Sequence, residues 1–420
     1  MTTLTQDAQT SSATESFGFP LLSTTARERD FAQALLQRAG WQLPGPLAAV
    51  CAEDEMTLHL RSHLSDPDLT LSRYLNEGLE AVQVLEHVLQ QHGRRLADCD
   101  SLLDFACGYG KSTRFLVQRL DPARVWVSDI YRGAVDFQRA HFGVQGLYSV
   151  ADPDALMWPR RFSLIYVGSL FSHLPEQSFV GWLRKLSEAL ADDGLLVFST
   201  HGPMLAQAAD AAQTGFHFLA KSESRSLDTA EYGSTFVTEA WVRSRAAALG
   251  LHGVHYLPRE LWAQDLYVVS RQPLAQAPLE PNRHPLACVD QAWVQSGGQL
   301  VVSGWAFDRL TGGPIGRVEV GAAGLAPWSA KLGQDRPDVA AHFQRADVAS
   351  AGWSLTMRAP KAWFRREAPP PCVTITFTGL QGVQSHQVVP LEVRDGDVPA
   401  EAGSLLRRAW TWLRQVGTAA

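Results

Sequence analysis

The feature that most constrains the fold is a run of short apolar strands that alternates with amphipathic helices after residue 100. The predicted strands are LLDFA (102–106), VWVSD (125–129), GLYSV (146–150), SLIYVG (163–168), GLLVFST (194–200) and a later LYVVS (266–270). Helical periodicity is present at 26–39, 66–91, 112–120, 179–190 and 239–249. Strands that are apolar on both faces and are separated by helices indicate an α/β fold with a parallel, doubly wound sheet.

Two local patterns refine this prediction. In the helix predicted at 66–91, Leu79, Val82, Leu85 and Val88 recur at helical spacing, so we expect them to face a core. The sequence Asp192-Asp193-Gly194 has turn composition and is predicted to lead into the fifth strand.

The chain has 420 residues, which is too long for one ordinary core and predicts two domains. A Pro-, Ala- and Gln-rich linker is expected at 272–285, between a domain at 56–271 and an all-β domain at 286–395. Residues 1–55 are predicted to be a tail with short helices, and residues 396–420 an amphipathic tail.

The region after the linker alternates in the manner of strands and is punctuated by Gly, Pro and Ser turns, which predicts a small β-sandwich. Trp305 and Trp353 are expected between its sheets, although exposed tryptophans could instead stack on sugar rings. The turn Asp335–Asp338 is interpreted as a structural corner.

The first predicted strand runs into a glycine-rich turn, LLDFACGYGKSTRFL. Gly108 and Gly110 would let the backbone turn tightly and approach a ligand, and Asp104 closes the strand. The pattern alone is also compatible with a simple strand-to-helix turn or with the start of a dinucleotide fingerprint, so the context must decide.

Acidic residues follow the next two strands as well. Asp129 ends the second strand, where a carboxylate would accept both hydroxyls of a ribose, and Ile130 could pack on an adenine face. Asp152 follows the third strand and could accept a hydrogen bond from the adenine amine, with Leu156 on the other side. Any one of these acids could be a solvated loop end, but their occurrence after successive strands favours a nucleotide-like ligand.

Together with the run FSLIYVGSLFSHLPE, these residues resemble the class I S-adenosylmethionine (SAM)-dependent methyltransferases over about residues 75–270. The resemblance implies a seven-stranded Rossmann-like sheet with SAM along its carboxyl edge, and Asp104 paired with the amino group of the cofactor. Ala106 stands where that family has its first glycine, and Ser163 replaces an acid that is structural there. The motifs VGSLFSHLPE, STHG and YGSTFVTEAWV are similar to a bacterial subgroup associated with cell-surface glycan loci.

Within this resemblance, Gly168 and Ser169 would lie beside the methyl group that is transferred. His173 is a candidate base for a hydroxyl acceptor, or alternatively a cap of the following helix, and His201 is a second candidate at the same edge. Tyr109 and Tyr232 are candidates for lining the acceptor pocket, and the long polar stretch 203–236 is predicted to cover it.

Composition excludes or disfavours several function classes. The net charge of −6 gives no general electrostatic reason to expect nucleic acid as partner. The five cysteines are scattered and lack CxxC spacing, so neither disulfides nor a zinc site is expected. The sequence has no cluster of carboxylates near the expected acceptor site, so no metal site is expected either. No signal peptide or membrane span is evident, so a cytoplasmic location is expected.

The tail carries Leu406, Trp410 and Leu413 on one helical face beside arginines, which is compatible with peripheral membrane contact or with docking on the β domain. The expected function is methyl transfer from SAM, favouring oxygen in a small-molecule or glycan-linked acceptor. A catalytically silent SAM-fold scaffold or glycan-binding module is the alternative. An NAD-linked oxidoreductase is disfavoured, because DxAxGxG lacks the GxGxxG spacing.

Overall fold

The structure is a computed structural model of the chain. It describes residues 17–64, 67–202, 213–221, 224, 226–262, 264–274, 284–295, 298–309, 311–322, 325–343, 345–361, 363 and 372–394. The first 16 residues, most of the predicted linker, the first part of the predicted lid and the predicted C-terminal helix lie outside these ranges.

The described residues up to Ser270, called the first domain below, contain seven α-helices and nine strands. The helices are α1 (Ala26–Arg38), α2 (Glu55–His63), α3 (Thr70–Gln91), α4 (Thr113–Leu116), α5 (Arg132–Phe142), α6 (Glu176–Glu188) and α7 (Glu239–Ala248). The strands are β1 (Leu102–Phe105), β2 (Val125–Asp129), β3 (Gln145–Tyr148), β4 (Phe162–Val167), β5 (Leu190–Thr200), β6 (Phe216–Leu219), β7 (Ser234–Val237), β8 (Gly253–Leu261) and β9 (Gln264–Ser270). The predicted strands and helices are confirmed with small shifts, while α2, α5, β6, β7 and β8 go beyond the predicted pattern.

Seven strands form one sheet in the order β3-β2-β1-β4-β5-β9-β8. Strands β1 to β5 pair in parallel, and β9 is antiparallel to both of its neighbours. The carboxyl ends of β1, β2, β4 and β5 therefore meet at one edge, which confirms an α/β fold with a large, mostly parallel sheet.

Alternate strand residues enter two separate cores, so both faces of this sheet are covered. Leu102 and Leu164 pack with α3, whereas Leu103 and Ile165 pack with α6 on the opposite face. The alternation follows from the period of two along a strand. The four predicted core positions of α3 are all buried there: Leu79, Val82, Leu85 and Val88.

The turn predicted at Asp192–Gly194 is wrong, because these residues lie inside β5. Phe162 pairs with Leu190 and Leu164 with Leu195, so the extra residues of β5 form a bulge against β4. A bulge uses the same polar and glycine residues as a turn, which is why the local composition misled the prediction.

The C-terminal region is β-rich, as predicted. Its described elements are β10 (Leu286–Gln295), β11 (Gln299–Phe307), β12 (Arg317–Gly321), β13 (Trp328–Ser329), β14 (Lys331–Gln334), α8 (Pro337–Phe343), β15 (Gly352–Arg358), β16 (Cys372–Thr378), β17 (Gln384–Pro390) and β18 (Glu392–Arg394). They form a five-stranded sheet, β14-β15-β11-β10-β18, and a four-stranded sheet, β13-β12-β16-β17. Both sheets contribute to one apolar core.

The two tryptophans of this region differ in their surroundings. Trp353 is buried in the core that the two sheets share. Trp305 is equally buried but packs with Phe307 and Phe343 of α8 in a separate cluster, so its predicted place between the sheets is wrong. Adjacent strand residues face opposite sides, and the inward position here is Gly304, whose missing Cβ makes room for Trp353.

The interpretation of Asp335–Asp338 as a structural corner is confirmed, because Arg336 in this turn forms ion pairs with Asp290 and Asp338. Within the described residues, every helix is too short or too polar to cross a membrane.

Candidate functional site

Asp104 is the buried carboxylate at the carboxyl end of β1. Its Oδ2 accepts a hydrogen bond from Thr113 Oγ1 at 2.7 Å, which ties the strand to the start of α4. Burial raises the pKa of Asp104 to about 7, and the nearby charge of Asp129 adds to the rise. No cationic side chain forms an ion pair with Asp104 in the part of the chain described, so this carboxylate suits a ligand that brings its own positive charge.

The loop after β1 bends through three residues with positive φ: Ala106 (57°), Gly108 (52°) and Gly110 (83°). The left-handed conformation of Ala106 lowers the stability of the fold by about 1–2 kcal/mol relative to a glycine at this position, because the Cβ of alanine lies too close to the following carbonyl oxygen. A Cβ on Gly108 would meet nothing within 4 Å, so its α-carbon faces open space. A Cβ on Gly110 would lie 2.4 Å from Phe142, so this glycine admits close packing of α5.

Asp129, at the end of β2, binds the loop of β1. Its Oδ2 accepts from Gly108 N at 2.8 Å and its Oδ1 from Tyr131 N at 2.9 Å. Burial raises the pKa of Asp129, while these two backbone hydrogen bonds oppose the rise. Each carboxylate oxygen of Asp129 has a second lone pair, so each can still accept a hydrogen bond from a ligand hydroxyl.

The remaining predicted cofactor residues differ in exposure. Ile130 is 43% exposed, which leaves an apolar surface beside Asp129 that a flat ring could cover. Asp152 is exposed and caps a short turn by accepting from Asp154 N at 3.0 Å. Leu156 is buried in the core with Phe105, so the structure gives it a packing role.

The carboxyl end of β4 carries a buried polar network. Ser169 has φ of 65°, and its backbone N–H donates to Ser199 Oγ at 2.8 Å. Gln264 Nε2 donates to Ser169 Oγ at 2.8 Å, and Gln264 Oε1 accepts from Ser199 Oγ at 2.7 Å. The side chain of Gln264 therefore joins the ends of β4, β5 and β9. Gly168 leaves no room for a side chain, because a Cβ there would lie 2.5 Å from Tyr166 Oη.

His173 lies in this network with a defined tautomer. Its Nδ1 is 2.8 Å from the carbonyl oxygen of Gly233, and because a carbonyl only accepts, Nδ1 carries the proton. Nε2 therefore has the lone pair, and it lies 3.5 Å from Ser169 Oγ. The ring of Tyr232 stacks on His173 with centroids 4.4 Å apart. His173 does not simply cap α6, whose N-cap residue is Pro175.

His201 is brought to the same place, and both histidines are buried. Its ring lies 5.9 Å from that of His173, and its Nε2 is 3.4 Å from Gln264 Nε2. Burial lowers the pKa of His201 to about 3, with the neighbouring His173 as the second cause. His201 is therefore a neutral imidazole over the ordinary pH range.

The two predicted pocket tyrosines are placed at different points. Tyr232 lies on His173, in the predicted lid, whose described part includes the hairpin of β6 and β7. Tyr109 packs against Phe137 and donates from Oη to Glu53 Oε2 at 3.4 Å, at the outer end of the loop. Burial raises the pKa of Tyr109.

The segment predicted to be a lid also contacts the loop that follows β2. Ser226 Oγ donates to Glu55 Oε1 at 2.6 Å and also bonds the hydroxyl of Tyr131. The lid thus contacts α2 and the residue that follows Asp129 and Ile130. No group of three or more potential metal ligands is present among the described side chains.

Two further residues lie at the end of β4: Ser172 Oγ donates to the Ser169 carbonyl oxygen at 2.6 Å, and the Trp262 ring lies beside Gly168. Sequence reasoning missed Ser172, Ser199, Trp262 and Gln264. Ser172 directly precedes His173 and Ser199 lies in the predicted fifth strand, but no local pattern marks either serine as a site residue. Trp262 and Gln264 stand beside a late strand, where no local pattern marks a site. Only the pairing of β5 with β9 brings Gln264 beside Ser199.

Buried carboxylates at the ends of two adjacent parallel strands, joined by a glycine-rich loop, define an α/β domain of the nucleotide-binding type. More specifically, residues 102–194 match the model of a family described as a methyltransferase domain.

One curated relative is the malonyl-[acyl-carrier protein] O-methyltransferase of Acetivibrio thermocellus, which is 29% identical over 104 residues. This match covers 24% of the present chain and 36% of that relative. Among solved structures, a DhpI complex with S-adenosylhomocysteine (SAH) is 19% identical, with a TM-score of 0.35 over 52% of this chain and 96% of that one. The O-methyltransferase NcsB1 from neocarzinostatin biosynthesis is 14% identical, with a TM-score of 0.33 over 49% of this chain and 58% of that one.

Proposed function

We propose that the chain is a SAM-dependent methyltransferase that acts on a hydroxyl of a small-molecule or glycan-linked acceptor. The observation that carries the proposal is the position of His173. Its Nε2 lone pair lies at the same sheet edge as the buried carboxylates of Asp104 and Asp129. The name of the curated relative, an O-methyltransferase, agrees with oxygen as the methylated atom.

The residues at this edge fit the cofactor. Asp104 is buried without an ion-pair partner in the described chain, so it would pair with the amino group of SAM. Asp129 would accept the ribose hydroxyls, and Ile130 would cover the adenine, with Asp152 near its amine. Gly108 would admit the ligand to the loop backbone, and Gly168 and Ser169 would border the methyl group. Ala106 and Gly110 shape the loop, and Leu156 supports the adenine side from the core.

The bound cofactor supplies a methyl group on a positively charged sulfur. The chain then has to align the acceptor oxygen and remove its proton. His173 Nε2 accepts that proton, because the Gly233 carbonyl holds Nδ1–H and stabilises the imidazolium that results. His201 has too low a pKa to serve as this base, so we assign its role to orienting Gln264 and the ring of His173.

Three further assignments belong to the proposal. We propose that the two C-terminal sheets form a β-sandwich module, supported by their common core. A cytoplasmic location is supported by the five free cysteines. Peripheral membrane contact through residues 404–415 stays a prediction, since these residues lie outside the described ranges.

The test is the transfer of tritiated methyl from SAM to fractionated cell glycans and lipids by the full chain. We expect label in one fraction, and about a 100-fold lower rate for His173→Asn, which keeps a donor for Gly233 but lacks the Nε2 base. His252→Ala is the matched control, because His252 is exposed. Full turnover by His173→Asn would refute the assignment of His173 as the general base. Absence of SAH binding by the unmodified chain would refute the proposal that it is a SAM-dependent methyltransferase.

A further inference from the structure

The backbone is strained at residues 259–262, which are the end of β8 and the residue after it and which we call the β8–β9 connection. Arg259 and Trp262 both have φ of 52°, in the left-handed region that side chains rarely adopt. The pairing of β8 with β9 is also irregular between Leu257 and Leu261. Such a conformation persists only where surrounding contacts hold it.

The C-terminal domain provides contacts on the outer side of this connection. Arg309 Nη1, which follows β11, donates to the carbonyl oxygen of Arg259 at 2.9 Å and to that of Glu260 at 3.3 Å. The guanidinium of Arg259 lies over the ring of Phe343 in α8, 6.0 Å from its centroid. A charged donor that bridges two consecutive carbonyls fixes the peptide planes between them.

Asp265 holds the same connection from within the first domain. Its Oδ1 accepts from Arg259 N at 2.9 Å, and its Oδ2 accepts from Tyr256 Oη at 2.8 Å. A Cβ on Gly202 would lie 1.9 Å from Asp265 Oδ2, so the backbone just after β5 packs directly on this carboxylate. Arg259 is therefore fixed from both domains at once.

On its other side, the connection contacts the glycine-rich loop after β1 and the end of β4, where we propose that the cofactor binds. Trp262 Nε1 donates to the Glu77 carbonyl at 2.9 Å, and Lys111 Nζ of the cofactor loop lies 4.1 Å from the centroid of the Trp262 ring. A Cβ on Gly168 would lie 3.2 Å from Trp262 Cη2. Gln264, two residues on, joins the network of Ser169.

We propose that Arg309 of the C-terminal domain is a positioning residue for the methyl-transfer site. It holds the strained β8–β9 connection in the conformation that places Trp262 and Gln264 against the cofactor loop and the end of β4. The C-terminal domain is then part of the catalytic unit rather than an independent appendage. The inference deepens the proposed function and rests on it.

The experiment measures SAH binding by calorimetry on the full chain and its variants. We expect Arg309→Met to weaken SAH binding about tenfold, because the coupling acts through Trp262 on the loop that holds the ligand. Arg309→Lys, which keeps a cationic donor, should recover part of the loss. In a Trp262→Leu background, Arg309→Met should change affinity less than about twofold, as a double-mutant cycle requires of residues on one path.

Arg317→Met is the matched control, since Arg317 pairs with Glu319 within the C-terminal domain. Hydrogen exchange should show faster deuterium uptake at residues 254–266 in Arg309→Met and not in Arg317→Met. Unchanged affinity in Arg309→Met, additive effects in the cycle, or faster exchange spread over the whole chain would overturn the proposal. Absence of SAH binding by the unmodified chain would overturn the proposed function, while the exchange comparison tests Arg309 separately.

Discussion

At the scale of the residue, burial shifts the pKa of Asp104, the carboxyl group that we propose binds the amino group of the cofactor. Its pKa of about 7 lies above its ordinary value of 3.8, because the carboxylate is desolvated and lies near Asp129. Protonated Asp104 therefore contributes to the free energy of unfolding of the protein without ligand. This contribution is fully present below about pH 4 and is lost as the pH rises through 7. A ligand ammonium group reverses the preference, because it stabilises the carboxylate.

The affinity for SAH should consequently increase with pH. Binding to the ionised carboxylate predicts about a tenfold lower Kd at pH 8 than at pH 6, with little change above pH 8. Calorimetry across this range gives the dependence directly. Asp104→Asn should bind weakly and without this pH dependence, whereas Asp121→Asn, at an exposed turn, should keep it. A flat profile in the unmodified chain would contradict the assignment of Asp104.

At the scale of the element, α3 packs directly against the glycine-rich loop after β1, which we propose binds the cofactor. Glu77 forms an ion pair with Lys111 at 3.0 Å, and the next residue, Gly78, allows close contact. A Cβ on Gly78 would lie 2.0 Å from the carbonyl oxygen of Lys111. The helix and the loop are therefore in close contact at Gly78. A larger side chain at this position should displace the loop and weaken ligand binding.

Gly78→Ala should destabilise the protein by about 1–3 kcal/mol and weaken SAH binding, because the added methyl group must displace the loop backbone. The measurements are denaturant unfolding and calorimetry. Gly181→Ala in α6 is the control: its Cβ would lie 3.3 Å from Pro153 Cγ, and the higher helix propensity of alanine offsets this contact. Equal stability of the two variants would refute the fitted contact.

At the scale of the whole molecule, the two domains have separate cores but touch. The first domain has one core on each face of its sheet, and the second has the core between its two sheets. Val388 of β17 packs against the first domain, and Arg309 contacts the β8–β9 connection. Separate cores predict separate unfolding, with limited coupling through these contacts.

Calorimetric unfolding of the full chain should therefore show two transitions. A saturating concentration of SAH, about 100 times its Kd, stabilises the binding domain by about 2.7 kcal/mol and should raise the midpoint of that transition. The transition of the β domain should move less. A single transition that shifts as a whole would show that the two domains unfold together.

The sequence alone determined the α/β class and the acidic edge of the sheet. These features depend on local periodicity and on residues that directly follow their strands, such as Asp104 and Asp129. The β-rich character of the second region followed from the same period of two. Helix α5 was missed although its buried residues recur at helical spacing, and strand β8 was missed because Pro258 and its charged neighbours interrupt the strand pattern. The turn at Asp192–Gly194 was mistaken because a bulge has the same composition.

Only the tertiary structure decided which polar groups surround the candidate base and what holds them. Ser169 and Gln264 are 95 residues apart, and no spacing rule connects them. His173 and His201 looked alike in the sequence and both are buried, yet desolvation lowers the pKa of His201 to about 3, whereas the Gly233 carbonyl holds Nδ1 of His173 and directs its Nε2 toward Ser169. The physical reason is that desolvation and hydrogen bonding depend on neighbours from distant segments, whereas strand and helix periodicity is set by adjacent residues.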